Sequence, residues 1–471
     1  MFNSLMDFIS PINDFLYYPV LIILLIGVGL YFTVRTGFIQ VTQMKEAIKV
    51  ISEKPKEEGS VSSFQALMVS TASRVGTGNI VGVSTAICLG GYGAIFWMWV
   101  VAIIGGASAF VESTLAQIYK KRGKSGESYG GPAYYIEQAL NQRWLGITFA
   151  VFLILTYAVG FNMLAAYNLQ DSFRIYSFYH PTLSPMIIGG ILALVTAYCI
   201  LGGGKRIIKV TSLIVPFMGV IYVLVALIMV ALNLDYLPTL FKLIIEDAFN
   251  FQAIFSGIAG SSMMYGIKRG LYSNEAGIGS APNAAAAADV SHPVKQGLVQ
   301  MVSVFIDTLI ICTATAFMSI SSGIAPTAEL SGAPFVQESL ATVFGPFGPI
   351  FVTTALVLFA FTTLIGNLFY VDNNLAYIFG GTPSRSFMIG YRILAALIIF
   401  VGALQEASFA WLAADFLMAL MALINLPTIM LLGKTALNTL DDYRRQRQAG
   451  QDPVFYAKNI GLDDSKLDYW K

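Results

Sequence analysis

Between Lys209 and Asp235 the chain reads VTSLIVPFMGVIYVLVALIMVALNL, with no charged side chain. A helix rises about 1.5 Å per residue, so such a run crosses the roughly 30 Å hydrocarbon core of a bilayer. In hydrocarbon every backbone N–H and C=O must be satisfied within the protein, and a helix does so locally. Comparable runs recur along the 471 residues, so the chain is expected to be an all-α membrane protein. Hydropathy predicts about eleven transmembrane helices. They fall at 17–34, 62–90, 92–119, 145–170, 184–203, 209–233, 261–290, 296–322, 346–376, 386–404 and 408–433. The charged, amphipathic stretch 37–56 is expected at the membrane surface, and a short segment lies near 245–258.

Composition agrees. Hydrophobic residues make up 56% of the chain and charged residues 12%, against about 25% charged in soluble domains. No segment is long enough to hold a soluble core, so the chemistry must lie within the bilayer. A net charge of +1 suggests no nucleic-acid partner. Cys88, Cys199 and Cys312 show no CxxC spacing, and His180 and His292 each precede a proline in a predicted loop. Neither a metal site nor a disulfide framework is expected. The opening MFNSLMDFIS has no basic n-region and does not read as a cleaved signal peptide.

Lysine and arginine are distributed unevenly. Arg35, Lys45, Lys49, Lys54 and Lys56 follow the first span, Lys120, Lys121, Arg122, Lys124 and Arg143 follow the third, and Lys205, Arg206 and Lys209 follow the fifth. The alternate loops are nearly bare, with Arg174 and Lys242. Positive charge stays in the cytoplasm. The N-terminus is therefore expected outside, and the tail with Arg444, Arg445 and Arg447 inside, as a solvated end.

Two spans carry an unusual interruption. Val75-Gly76-Thr77-Gly78-Asn79 and Ala276-Gly277-Ile278-Gly279-Ser280 place G-x-G inside membrane helices about 200 residues apart. With the first helix set aside, the rest divide as five and five, and each set opens with one of these motifs. Five is odd, so the second set would run through the membrane inverted. The expected organisation is an N-terminal helix (1–36), a surface segment (37–60), a first repeat (61–233), a second repeat (245–433) and a cytoplasmic tail (434–471). Paired interruptions in inverted halves point to a transporter's midplane site. Glycine weakens a helix by about 1 kcal/mol relative to alanine, and unwound backbone survives in hydrocarbon only where something satisfies it. A half-helix N-terminus offers N–H groups to a carboxylate, and a half-helix C-terminus offers carbonyls to a cation. Helix packing through small residues is the plainer explanation of any single G-x-G. The matched positions, with Asn79, Ser273, Asn274 and Glu275 around them, favour a site.

The stretches TASRVGTGNIVGVSTAI, GGYGAIFWMWVVAIIGGASAFVESTLAQIYK, YGGPAYYIEQAL and SNEAGIGSAPNAAAAA resemble the alanine or glycine:cation symporter family, from about residue 60 to about 433. The resemblance implies a leucine-transporter-type fold with two discontinuous helices, Na+ as coupling ion with no other cofactor, and alanine or glycine as substrate. The first break also looks like the V-G-x-G-N break of the neurotransmitter:sodium symporters. That likeness implies substrate contacts at Gly76, Thr77, Gly78 and Asn79, with the Thr77 and Gly78 amides on the carboxylate. Asn79 matches a sodium ligand there and is equally open to substrate. It also implies a sodium site from the Ala72 and Val75 carbonyls, Thr362, Thr363 and the Phe359 carbonyl. On their own, paired threonines in a helix commonly bond back to the previous turn. From the second break, the carbonyls of Ala276, Gly277, Ile278 and Gly279 are expected at the substrate ammonium, with Ser273 and Asn274 as polar side chains. Bulk at Ile278, Tyr157 or Phe161 is expected to limit substrate size.

Ionisable residues inside a membrane are functional candidates. Arg74 stands at the first break, and Glu112, Glu275, Asp307 and Asp415 lie in or near spans. The neurotransmitter family has a small residue in place of Arg74. Glu275 or Glu112 is expected to pair with it, as a gate or as a structural contact. Lys268 and Arg269 are expected to draw carboxylates inward or to snorkel to water. The alternative within transporters is proton coupling through Glu112, Asp307 or Asp415. A channel would need a repeated filter or a charged ring, an enzyme a convergent acid–base or metal cluster, and an ATP motor a GxxxxGK[ST] loop; the chain has none of these motifs.

Overall fold

In the computed structural model, residues 2–55, 59–123, 126–250 and 261–470 are described, without the side chains of 2–5 and 466. Among the described residues, nine helices are long and apolar enough to cross a membrane. Numbered with the shorter elements between them, the helices are α1 (Met6–Arg35), α2 (Met44–Ile51), α3 (Ser63–Arg74), α4 (Gly78–Gly90) and α5 (Ala94–Ile118). There follow α6 (Pro132–Leu140), α7 (Arg143–Asp171), α8 (Leu183–Ile200), α9 (Gly203–Leu232) and α10 (Leu237–Ala248). The second half holds α11 (Ser262–Asn274), α12 (Ala281–Ala287), α13 (Pro293–Ile320), α14 (Ala333–Phe344), α15 (Phe347–Phe379), α16 (Arg385–Ala403) and α17 (Ala407–Gln448). Part of the expected 245–258 segment lies outside the described residues.

Burial sorts these helices into an inner and an outer set. The most apolar window is 72% buried in α5 and 67% in α13, but only 28% in α9 and α16. On α9, Leu213, Phe217, Leu224 and Leu232 are exposed, as lipid-facing side chains must be when the solvent is hydrocarbon. The inner set carries buried polar groups instead, among them Arg74, Asn79, Glu112, Asn162, Asn274, Glu275, Asp307, Asn367 and Asn425. This inverts the usual polar-out pattern and surrounds the two expected breaks with buried polar groups.

Two expected helices, 62–90 and 261–290, are each interrupted. The first is α3 and α4, separated at Val75 (φ −75°, ψ 88°). The second is α11 and α12, separated by Glu275, Gly277 and Gly279 at φ 53°, 83° and 90°. That left-handed backbone favours glycine at the last two positions. Both α5 and α13 are followed by a short helix with a proline in its first turn, α6 and α14. Neither short helix was expected, because each is under the length needed to cross a membrane.

The tail differs from expectation. It is not a solvated end: Phe455, Ala457 and Leu467 are buried. The Phe455 N–H donates to the Ser291 carbonyl at 3.0 Å, and Trp470 Nε1 donates to the Gln117 carbonyl at 2.7 Å. Apolar side chains between charged ones (Phe455, Leu467, Trp470) supply the driving force, since each removes surface from water on docking.

Candidate functional site

The first break is held by its own side chains. Ser62 and Gln65 form a capping box that starts α3. At the other end, Asn79 Oδ1 accepts from the Gly76 N–H at 2.8 Å and closes the turn between the half-helices. Thr77 and Gly78 then stand at the start of a new helix, where N–H groups have no partner one turn back. Asn168 Nδ2 donates to Thr77 Oγ1 at 3.1 Å. Gly78 lies under an aromatic ring: a Cβ there would come within 2.6 Å of Tyr272 Cε1. Tyr272 continues into a row of rings, with Phe161 at 4.8 Å and Trp411 at 5.2 Å between centroids, and Tyr157 at 4.9 Å from Phe161. The expected size-limiting residues Tyr157 and Phe161 are thus in this row. Tyr272 and Trp411, which the sequence reading missed, bring it to the break.

Beside the first break stands the threonine pair. Thr363 Oγ1 lies 3.3 Å from the Ala72 carbonyl oxygen and 3.5 Å from that of Ser73. A Cβ on Gly76 would meet Thr363 Oγ1 at 2.0 Å, so α15 and the break touch without side-chain spacing. Thr362 Oγ1 lies 3.1 Å from the Phe359 carbonyl and 3.0 Å from that of Leu358. Thr363 thus meets the Ala72 carbonyl across α15 and α3, whereas the Thr362 hydroxyl stays on α15, with Met218 Sδ of α9 at 3.6 Å. Val75 is adjacent through Gly76, but neither threonine hydroxyl contacts its carbonyl.

The second break is held from outside. The Glu112 carboxylate, on α5, accepts from the Gly277 N–H at 3.2 Å and the Gly279 N–H at 3.1 Å, and from Asn425 Nδ2 at 2.8 Å. Asn425 Nδ2 also donates to the Gly277 carbonyl at 2.8 Å, so that carbonyl is engaged by the protein. Asn274 Oδ1 accepts from the Ala276 N–H at 3.0 Å, and Ile278 is packed in the core. Ser273 reaches the first break: Asn79 Nδ2 donates to its Oγ at 3.1 Å. The two breaks are thereby joined through Asn79 and Ser273.

The charges pair differently from expectation. Arg74 is 2% exposed and forms no ion pair with Glu275 or Glu112; Nη1 donates to the Gln300 carbonyl at 3.4 Å, and Nε and Nη2 have no partner. The reason is competition. Glu112 is taken by the second break, and Glu275 accepts from Ser280 Oγ at 2.7 Å and Ser73 Oγ at 3.3 Å. Lys268 and Arg269 do not snorkel. Both pair with Asp415, at 3.1 Å and 2.7 Å, and the Arg269 guanidinium lies 4.0 Å from the Trp411 ring. Ion pair, Trp411 and Tyr272 cover the first break on one side. An acid in a span facing two bases in another was the available signal.

A model of the sodium:alanine symporter family matches residues 2–457. The chain belongs to that family. Among its relatives is the amino-acid carrier protein AlsT of Bacillus subtilis, 44% identical over 99% of this chain and 97% of its own length. The sodium/alanine symporter AgcS of Methanococcus maripaludis is 40% identical over 91% of this chain and 95% of its own. Among solved structures, that of MhsT in complex with L-phenylalanine aligns with a TM-score of 0.56 at 14% identity, covering 88% of this chain and 97% of that one. At that identity the likeness establishes the fold alone, which is the leucine-transporter type. This symporter-family chain is a multi-pass membrane transporter and not an enzyme.

Proposed function

We propose that the protein imports alanine, with glycine as a second substrate, by sodium symport with alternating access. The observation that carries this reading is the meeting of the two breaks: Asn79 and Ser273 are in contact, and Thr363 lies on the Ala72 carbonyl beside them. In this reading the Thr77 and Gly78 amides hold the substrate carboxylate, with Gly76 and Asn79 beside them. The Ala276 and Ile278 carbonyls face the ammonium, with Ser273 and Asn274 nearby; the Gly279 carbonyl, like that of Gly277, is already engaged, by Asn283 Nδ2 at 3.1 Å. Sodium sits between Ala72, Val75, Phe359, Thr362 and Thr363. Arg269, Asp415, Trp411 and Tyr272 close the outer side. The name of AgcS, a sodium/alanine symporter, supports substrate and ion. The row of rings over Gly78 supports a small substrate.

The two interrupted helices bring the crossings to eleven, in a five-plus-five inverted layout over 61–233 and 245–433. The proline-started helices α6 and α14, each after the second span of its set, support the repeat. The positive-inside count supports an outer N-terminus and a cytoplasmic tail. Sodium and membrane potential then drive uptake, at about 2.3 kcal/mol per charge per 100 mV.

The test is radiolabelled L-alanine uptake into proteoliposomes under an inward Na+ gradient against a K+ control. Accumulation only with sodium, competed by glycine, is the expected result. Uptake indifferent to sodium but driven by a proton gradient would replace it with the proton-coupled reading.

A further inference from the structure

Helix α1 lies outside the proposed repeat, yet it reaches the charges that cover the first break. Tyr17 is 2% exposed, and its hydroxyl donates to the Asp415 carbonyl of α17 at 3.1 Å. The centre of its ring lies 4.8 Å from the Lys268 ammonium. Beside it α1 kinks: Pro19 has no N–H to give, and Tyr18 leaves helical backbone at φ −125°, ψ 115°. Farther along, Phe32 packs on Gly433 of α17, where a Cβ would come within 2.7 Å of the ring. Tyr17 is thereby fixed to α17 and faces Lys268 of α11.

The charges it meets are unequal in number. Lys268 and Arg269 share one carboxylate, and both approach the same oxygen, Asp415 Oδ2, at 3.1 Å and 2.7 Å. Asp415 Oδ1 is buried without a partner. Two cations on one oxygen repel each other, and a low-dielectric interior screens that repulsion weakly. Aromatic rings make up the shortfall. The face of a ring attracts a cation within about 6 Å of its centroid, more strongly once the cation is out of water. Each base has such a ring: Arg269 has Trp411 at 4.0 Å, and Lys268 has Tyr17 at 4.8 Å. Trp411 stands on the same helix as Asp415, whereas the ring for Lys268 is brought in by α1.

We infer that Tyr17 is a positioning residue of the transport cycle. From α1 it holds Lys268 on Asp415, and so sets how readily the substrate site opens outward. Opening has to part α11 from α17, and with it Lys268 from both Asp415 and the Tyr17 ring. Tyr17 stays with α17, through its hydroxyl on the Asp415 carbonyl. Its ring therefore stabilises the closed arrangement and not the open one, and only such a differential contact shifts an equilibrium. Tyr17 also packs in the core, a part that the experiment separates from closure. The inference rests on the reading of Arg269 and Asp415 as the outer closure.

The experiment reads how fast a membrane-impermeant thiol reagent outside cells modifies Cys312, in the full chain carrying Cys88→Ser. Cys312 Sγ lies 3.1 Å from Ser273 Oγ, where the two breaks meet, and is reached from outside when the closure opens. Tyr17→Leu should speed modification by roughly three- to tenfold, the range that a desolvated cation–π contact supports. Tyr17→Phe keeps the ring and should act less. In a Lys268→Gln background, Tyr17→Leu should change the rate by less than about twofold, because the partner of the ring is gone. Half-saturating alanine should fall together with the maximal uptake rate, since a more open site is easier to load and harder to close. Loss of folded protein would lower the maximal rate alone. If Tyr17→Leu does not insert, Tyr17→Met, which fills the space with a flexible chain, takes its place. An unchanged rate in Tyr17→Leu, or an equal acceleration with and without Lys268, would overturn the inference. Arg269→Gln tests the closure itself. Faster modification in Arg269→Gln but not in Tyr17→Leu sinks this inference alone; an unchanged rate in both removes the outer-closure reading as well.

Discussion

Thr362 and Thr363 are neighbours in sequence, yet their hydroxyls do different things. Thr363 Oγ1 crosses to the carbonyls of Ala72 and Ser73, whereas Thr362 Oγ1 bonds back within α15 to Leu358 and Phe359. Removing an oxygen from a charged partner costs about 1.5–3 kcal/mol. Thr363→Val should therefore raise half-saturating sodium by roughly ten- to hundredfold, since about 1.4 kcal/mol is a factor of ten. Thr362→Val should raise it less, and sodium titrations of alanine uptake would show the order; an equal and negligible effect of both would remove sodium from this place. At the first break, Gly78→Leu drives a side chain into Tyr272, whose Cε1 is already within 2.6 Å of a Cβ at that position. Uptake should vanish while the protein still inserts. Retained uptake at normal surface level would make the break a packing device. The paired threonines and the G-x-G were legible in sequence. Tyr272 and Trp411 were not, because an aromatic residue on a membrane helix says nothing about what it faces until the helices are packed.

The two breaks solve the same backbone problem by different means. The first closes on itself through Asn79, three residues on from Gly76. The second depends on Glu112, more than 160 residues away in α5, whose two oxygens take the Gly277 and Gly279 N–H groups. Glu112→Ala would leave both N–H groups and Asn425 Nδ2 without that acceptor in a water-poor interior. Unsatisfied buried donors cost about 1–3 kcal/mol each, so the variant should lose several kcal/mol and unfold at a clearly lower temperature in detergent. Glu112→Gln, which keeps one acceptor oxygen, should fall between. A melting curve for Glu112→Ala superposing on the wild type would show that the second break needs no external acceptor. The sequence placed Glu112 in a span and offered it to Arg74. Nothing local distinguishes that partner from a pair of backbone amides, and the choice belongs to the packing of α5 against the break.

Across the whole molecule, the tail ties the ends of several elements together. His292 caps the start of α13 through the Val294 N–H at 3.3 Å, and its ring lies 5.1 Å from Tyr443 and 5.5 Å from Phe455. Arg447 pairs with Glu46 of α2, and Lys120 Nζ lies 3.7 Å from the Tyr469 ring. Burial holds the His292 imidazole below its ordinary 6.5, in spite of Asp442 at 3.4 Å. Undocked, the ring would titrate at its ordinary value. The docked state therefore binds fewer protons on acidification, and its stability is full above about pH 6.5 and falls below it. Limited proteolysis after Gly450 should accordingly be faster near pH 5 than near pH 7.5, and His292→Gln should flatten the difference. A cleavage rate independent of pH in the wild type would exclude His292 as the cause.

Sequence alone determined that this chain spans a membrane many times, because no other structure satisfies the backbone of runs such as the one after Lys209. It also determined where two helices break, since two G-x-G motifs at matched positions, unlike a single one, are poorly explained by packing, and its long motifs already resembled the symporter family. Only the tertiary structure decided who serves whom around those breaks. Asp415, not water, receives Lys268 and Arg269, Glu112 receives the glycine amides, and Arg74 keeps two free donors. The physical reason is that charge pairing in a low-dielectric interior is set by distances of a few ångströms between helices far apart in the chain. Hydropathy fixes the helices and leaves those distances to their packing.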